Sequence, residues 1–184
     1  QMVSWLTHRF GSDLTQAERV SRTAQTLLSA MLGKAADEEA PRHLRKLHWA
    51  AQLHEVGMRI SHSDYHKHGA YILDNTDLPG FTIDELHRLS QLVLGHRGKL
   101  RKLEEDLNDE LFAKQLIAMR LAVLLCHARK MPEYQDLELC YLGHGFELIT
   151  PPGWSKRYPQ SAWLLEEEVL AWQKSPWSFR VDWR

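Results

Sequence analysis

The chain has 184 residues, and its 23 Lys+Arg against 24 Asp+Glu give a formal net charge of −1. That length supports one core with a small appendage, and the charge balance excludes a global basic field, so a polyanion could be met only by local clusters. No apolar run approaches transmembrane length and no signal-peptide pattern opens the chain, while two cysteines, Cys126 and Cys140, form no disulfide framework and suit a reducing, cytoplasmic setting.

In chain order, Gln1-Met2-Val3 is not a natural translation start, which points to a fragment or processed product. Residues 1–14 read as a lead-in with a turn at Gly11-Ser-Asp13. Thr15 and Glu18 form a capping box, and Val20, Ala24, Leu27, Leu28 and Met31 follow at helical spacing until Gly33. Pro41 suits the first turn of a second helix, on which Leu44, Leu47, Ala51 and His54 share a face. Gly57 is placed to stop that helix. A third helix spans 65–75, and Leu78-Pro79-Gly80-Phe81 is a turn. A second capping box, Thr82 with Glu85, starts a helix carrying Ile83, Leu86, Leu89, Val93 and His96, which ends by Gly98.

After a charged linker, a helix over about 109–130 is nearly apolar between Leu116 and Cys126, which predicts a central position. From Glu133 the texture changes. Residues 137–142 and 146–149 read as strands about Gly143-His-Gly145. Pro151-Pro-Gly153 is a breaker, 161–174 has helical spacing, and 179–183 is a third strand. The predicted fold is mainly α, a helical bundle over 1–132 with a small β-β-α-β appendage over 133–184. Trp154, Trp163, Trp172, Trp177 and Trp183 crowd that tail. No single-strand-binding motif accompanies them, so packing or a subunit interface is expected rather than nucleic-acid binding.

Four blocks carry most of the functional information: His48-Trp-Ala-Ala-Gln-Leu-His54-Glu55-Val-Gly57, His62-Ser-Asp-Tyr-His66-Lys67-His68-Gly-Ala-Tyr-Ile-Leu, Asn75-Thr-Asp-Leu-Pro-Gly-Phe81 and His96-Arg97-Gly-Lys99-Leu-Arg101-Lys102. In this order, from about Thr15 to Lys130, they resemble the C-terminal half of the Ppx/GppA phosphatase family, and within it the exopolyphosphatases. His54-Glu55 is similar to the metal-binding dyad of HD-domain phosphohydrolases, so the resemblance implies an HD-like bundle. It also implies that hydrolysis of a terminal phosphoanhydride belongs to upstream actin-like lobes that use Mg²⁺. None of their Gly-rich phosphate loops occurs in this chain, so no catalytic residue and no cofactor of its own are expected.

Metal chemistry of the HD type needs several imidazole and carboxylate ligands converging on one ion. The first-helix ligand position, three residues before Arg19-Val20, holds Gln16. The late acid position after Arg120-Leu-Ala122 holds Val123. His54 and Glu55 are therefore expected to be a buried, mutually hydrogen-bonded structural pair, with no metal bound.

The candidate anion donors are His66, Lys67 and His68, at the start of a helix whose free N–H groups also favour anions, together with Arg97, Lys99, Arg101 and Lys102. Arginine grips phosphate oxygens in a fork, and lysine acts as a point charge. The basic run could equally be a solvated helix end balanced by Glu104, Glu105 and Asp106. The resemblance favours a track for inorganic polyphosphate, with His66 and His68 charging as pH falls through the histidine range. It also implies a homodimer. The alternatives are a self-contained HD-type metal phosphohydrolase and a purely structural dimerisation module.

Overall fold

The computed structural model describes residues 2–33, 38–103 and 106–184; Glu104 and Glu105 lie outside them. The expected lead-in is a helix, α1 (Met2–Arg9), that buries Val3, Leu6 and Thr7. Eight residues are too few for periodicity to stand out, although those three share one face. The following helix, α2 (Leu14–Leu32), is capped by Asp13, whose carboxylate accepts the Gln16 N–H at 3.0 Å. Thr15 and Glu18 thus lie inside the helix instead of boxing its start, and Glu18 pairs with Arg22 at 3.2 Å. As the spacing predicts, α2 buries Val20, Ala24, Leu27, Leu28 and Met31 and ends at Gly33.

Pro41 sits in the first turn of α3 (Ala40–Leu53), and His54 caps its end in a right-handed conformation. Gly57 does not terminate α3 but lies in the 3-10 turn Val56–Arg59. It is required because α4 (Tyr65–Asp74) crosses its backbone. A Cβ there would lie 2.1 Å from the Tyr65 carbonyl oxygen and 2.5 Å from the Gly69 nitrogen. The full Thr82–Glu85 capping box opens α5 (Ile83–Gly95). Its first residue, Ile83, is exposed rather than on the core stripe, while Leu89, Val93 and His96 face inward.

Capped by Asp109, α6 (Glu110–Leu125) is the central helix, with Phe112, Leu116, Ile117, Met119 and Leu121 fully buried. It stops at Leu125 rather than Lys130. The chain then folds back, and Arg129 takes a left-handed φ of 53° from which its side chain reaches Glu55 and Asp13.

The appendage has the expected order. Strands β1 (Glu138–Tyr141) and β2 (Gly145–Ile149) form an antiparallel hairpin, and β3 (Ser178–Asp182) joins the other side of β2 in parallel. Between β2 and β3 lie a short helical turn, α7 (Trp154–Arg157), and α8 (Pro159–Trp172). The Pro151-Pro-Gly153 breaker hides α7 from the sequence. One apolar cluster runs from α1 to β3 and takes in Leu139, Phe146, Leu148 and Trp172 of the tail. Among the described residues, no helix is long and apolar enough to cross a membrane.

The polar joint within this core is Arg120 of α6, which is 7% exposed. Its Nε and Nη2 donate to the Glu168 carboxylate of α8 at 2.7 and 2.9 Å. Its Nη1 donates to the carbonyls of Gly95 and Gly98 at 2.8 and 3.1 Å. The Trp172 indole N–H completes Glu168 at 2.9 Å. Removing one member of such a pair strands a buried charge. Arg120→Met is therefore expected to cost about 3–5 kcal/mol in urea denaturation, whereas the double change Arg120→Met/Glu168→Leu should recover much of that loss.

Candidate anion-binding site

The end of α3, the start of α4 and the end of α5 meet around Tyr65. His54 Nδ1 lies 2.5 Å from the Ala51 carbonyl, and His96 Nδ1 makes the same contact with the Val93 carbonyl. A carbonyl can only accept, so both Nδ1 atoms carry the proton and both Nε2 atoms are acceptors. The Tyr65 hydroxyl donates to His96 Nε2 at 3.3 Å. The rings of His54 and His96 pack edge to face at 5.1 Å, and His66 stands 6.4 Å from His96. His66 is 4% exposed, its Nδ1 has no hydrogen-bond partner among the described residues, and it lies against Gly98. A left-handed φ of 83° at Gly98, and the absence of a Cβ that would sit 3.1 Å from His66 Nε2, make that contact possible.

The expected His54–Glu55 hydrogen bond is not formed, because each residue has another partner. His54 is bound to Ala51 and Glu55 to Arg129, at 2.6 and 3.4 Å. Arg129 also donates to Asp13 at 3.0 Å, so two carboxylates converge on one guanidinium.

Of the candidate donors, the fold brings His66, Lys67, Arg97 and Lys102 together. The Arg97 guanidinium lies over the Tyr65 ring at 4.8 Å. Lys67 reaches Asp64 at 3.7 Å. Burial, followed by the ammonium of Lys67 close beside it, lowers the pKa of Lys102. Lys99 neighbours Lys102 but, with Arg101, lines a cleft of 430 Å³ facing Glu167 and Lys174. His68 is half-buried, with its Cβ against Gly57. The local chain explains the gathering: α4 places His66 and Lys67 in its first turn, and the Gly98 turn, its carbonyl held by Arg120, returns Arg97 toward them.

Burial pushes His54 below the ordinary histidine range, and it pushes His96 well below, with His54 adding to the effect. His66 is pushed down to about 4, first by burial and then by Arg97 and Lys102.

An HD-type metal site does not fit these residues. Gln16 is committed through its amide N–H to the Cys126 carbonyl and through its oxygen to Arg19, both at 2.9 Å. Arg129 holds the Glu55 carboxylate. Among the described residues, no three His, Cys, Asp or Glu side chains are grouped to hold an ion.

Three contributors escaped the sequence reading: Tyr65, Arg120 and Arg129. Arg120 had a usable signal, since one arginine inside an apolar helix must find partners. Nothing in the local sequence marks Arg129, whose role depends on a left-handed turn.

An α-helical domain with a small sheet, and a cluster of cations gathered at a helix start, is the class these features define. The family model described as Ppx/GppA phosphatase, domain III, matches residues 1–169, and the chain belongs to that family. Similar curated proteins include guanosine-5'-triphosphate,3'-diphosphate pyrophosphatases from Pseudoalteromonas translucida and Photobacterium profundum, each 32% identical, and one from Vibrio atlanticus, 31% identical. Each match takes in 95% of this chain but only 35% of the relative's length.

The three buried histidines generate a pH prediction. Unfolded, each binds a proton near pH 6.5; folded, each does so only at lower pH. The unfolded state therefore holds more protons across the interval between, and stability falls as pH drops from about 6.5 toward 4. Each histidine contributes up to about 1.4 kcal/mol per pH unit. Urea midpoints at pH 7, 6 and 5 should decline, and His66→Asn should flatten the decline.

Proposed function

We propose that this chain is the third domain of a cytoplasmic phosphohydrolase, where it holds a linear polyphosphate substrate and contributes to a homodimer. Hydrolysis of the terminal phosphoanhydride belongs to upstream actin-like lobes and their Mg²⁺. The observation that supports this reading is the gathering of Lys67, Arg97 and Lys102 around His66, with the Asp64 carboxylate beside Lys67. Crowding two ammonium groups at the start of α4 raises the electrostatic energy of the free protein, and a bound anion relieves it. In this reading 133–184 is a small subdomain, and through Arg120 it fixes the turn that presents Arg97.

The activity for which the relatives are named favours a second reading, in which the polyanion is the phosphate chain of a guanosine nucleotide. Both substrates offer consecutive phosphates to the same cations, and the binding experiment separates them.

Affinity for long polyphosphate, tripolyphosphate and guanosine pentaphosphate should be measured by calorimetry across a salt series. By analogy with counterion release, log K should fall linearly with log salt, and each cation removed should reduce the slope by about one unit or less. Arg97→Ala and Lys102→Ala should weaken the long chain more than tripolyphosphate, while Arg45→Ala on α3 should do neither. If guanosine pentaphosphate outcompetes the long chain, the second reading holds; equal losses in Arg45→Ala would mean diffuse attraction and no site. His66 stays neutral down to about pH 4 in the free protein. Binding therefore should not gain the step near pH 6.5 that histidine alone would suggest.

A further inference from the structure

Lys99 and Arg101 stand apart from the cluster around His66. They line the 430 Å³ cleft beside α8 together with Leu170, Ala171 and Lys174. A second cleft, of 400 Å³, lies between α6 and α8 and takes in Val123, Leu124 and Leu164. The two share Gly98, Glu167 and Ala171, so they form one groove along α8. From Leu164 to the end of α8 is about 12 Å, room for about two turns of a second helix, and Lys174 follows in the turn beyond.

The groove sets an uncovered apolar floor beside positive charge that nothing offsets. Trp163, Glu167, Leu170 and Lys174 recur at helical spacing, so one face carries them. On that face Trp163 is 58% and Leu170 54% exposed, while Leu165 and Trp172 of the same helix are fully buried. Single exposed leucines are ordinary; Leu170 differs in lying among cations. Among the described residues, the side chains of Lys99, Arg101 and Lys174 make no hydrogen bond and no ion pair. Asp106, the next described acid along the chain from them, is already held by His87 and Gln91 at 3.4 and 2.6 Å. Glu168 is bound to Arg120, which leaves Glu167 as the free carboxylate of the lining. An inorganic anion would answer the charge but leave the leucines wet. A flat anionic lipid surface would meet the exposed Glu166 and Glu167 head on. A peptide can place acids on the cations and apolar groups on the floor at once.

We propose that the groove along α8 docks an acidic amphipathic helix of a partner protein. The partner's apolar residues cover Leu164, Leu170 and Ala171, in the manner of a helix laid into a groove. Its carboxylates meet Lys99, Arg101 and Lys174, which set its orientation and speed its arrival. The contact uses none of His66, Lys67 and Lys102 and stands independently of the polyphosphate reading.

The probe is a fluorescein-labelled peptide of about ten residues, with leucines at i, i+3, i+4 and i+7 and glutamates elsewhere, followed by anisotropy. The same residues in scrambled order, and a version with lysines for glutamates, are the comparators. The acidic amphipathic peptide should bind the chain saturably and about 10-fold or more tightly than either comparator. Leu170→Ser and Lys174→Ala should each weaken it about 10-fold, and Arg101→Ala several-fold. All three side chains are exposed, and melting curves confirm that each variant is folded. Lys67→Ala and Arg45→Ala should leave binding unchanged. The proposal is overturned if the acidic peptide does not saturate at millimolar concentration, or if its scrambled form binds equally well. A loss in Lys67→Ala equal to that in Lys174→Ala would also overturn it, by showing only diffuse attraction. Two other coverings are tested with the same variant. If Leu170→Ser abolishes self-association in sedimentation, a second copy fills the groove; if it abolishes cosedimentation with phosphatidylglycerol vesicles, a membrane does. Either result overturns the proposal.

Discussion

The buried contact between Arg120 and Glu168 is the constraint on which the rest of the structure depends. It joins the central helix to the last one, and the same guanidinium satisfies two carbonyls at the end of α5. Helix ends leave such carbonyls without partners, and a buried end must find donors elsewhere. Here the donor comes from the core side, so the path of the chain after α5 is set from beneath. Arg97, on that path, stacks on Tyr65 as a result. A lysine could not do the same, because one ammonium lacks the forked donors that serve a carboxylate and two carbonyls together.

The histidine cluster is stable in its uncharged state for equally local reasons. Two rings spend their Nδ1 protons on carbonyls three residues back, and one receives a hydroxyl from Tyr65. The positive charge of the region is therefore carried by lysine and arginine at the surface and not by imidazole beneath it. This separates two properties the sequence runs together, since eleven histidines suggest a group of titrating donors, whereas these three form packed walls.

Much of the fold was legible because periodicity and caps are local signals. The α2 stripe, the Thr82–Glu85 box, the apolar run of α6 and the Gly143–Gly145 hairpin all survive in the structure. The errors occur where a distant contact overrides a local rule. Gly57 reads as a helix stop but is a crossing point with α4. Thr15 reads as a cap, although Asp13 two residues earlier does that work. The end of α6 is drawn short by Arg129 turning to Glu55. Of the candidate donors, those within reach of Tyr65 were identifiable from charge and spacing. That Arg101 would face α8 and His68 would pack on Gly57 depends on rotations no pattern records.

The Arg129 clamp has a consequence for how the molecule opens. Its guanidinium ties two residues that precede it by 116 and 74 positions, Asp13 before α2 and Glu55 after α3, to the segment beyond α6. Contacts of such sequence separation form only after long loops have closed, so they belong to the late stages of assembly. Once formed, they deny independent fraying to three segment ends that would otherwise be the weakest points for amide exchange. The surface around Glu55 should therefore exchange with the core as one cooperative unit, although it looks like a set of loops.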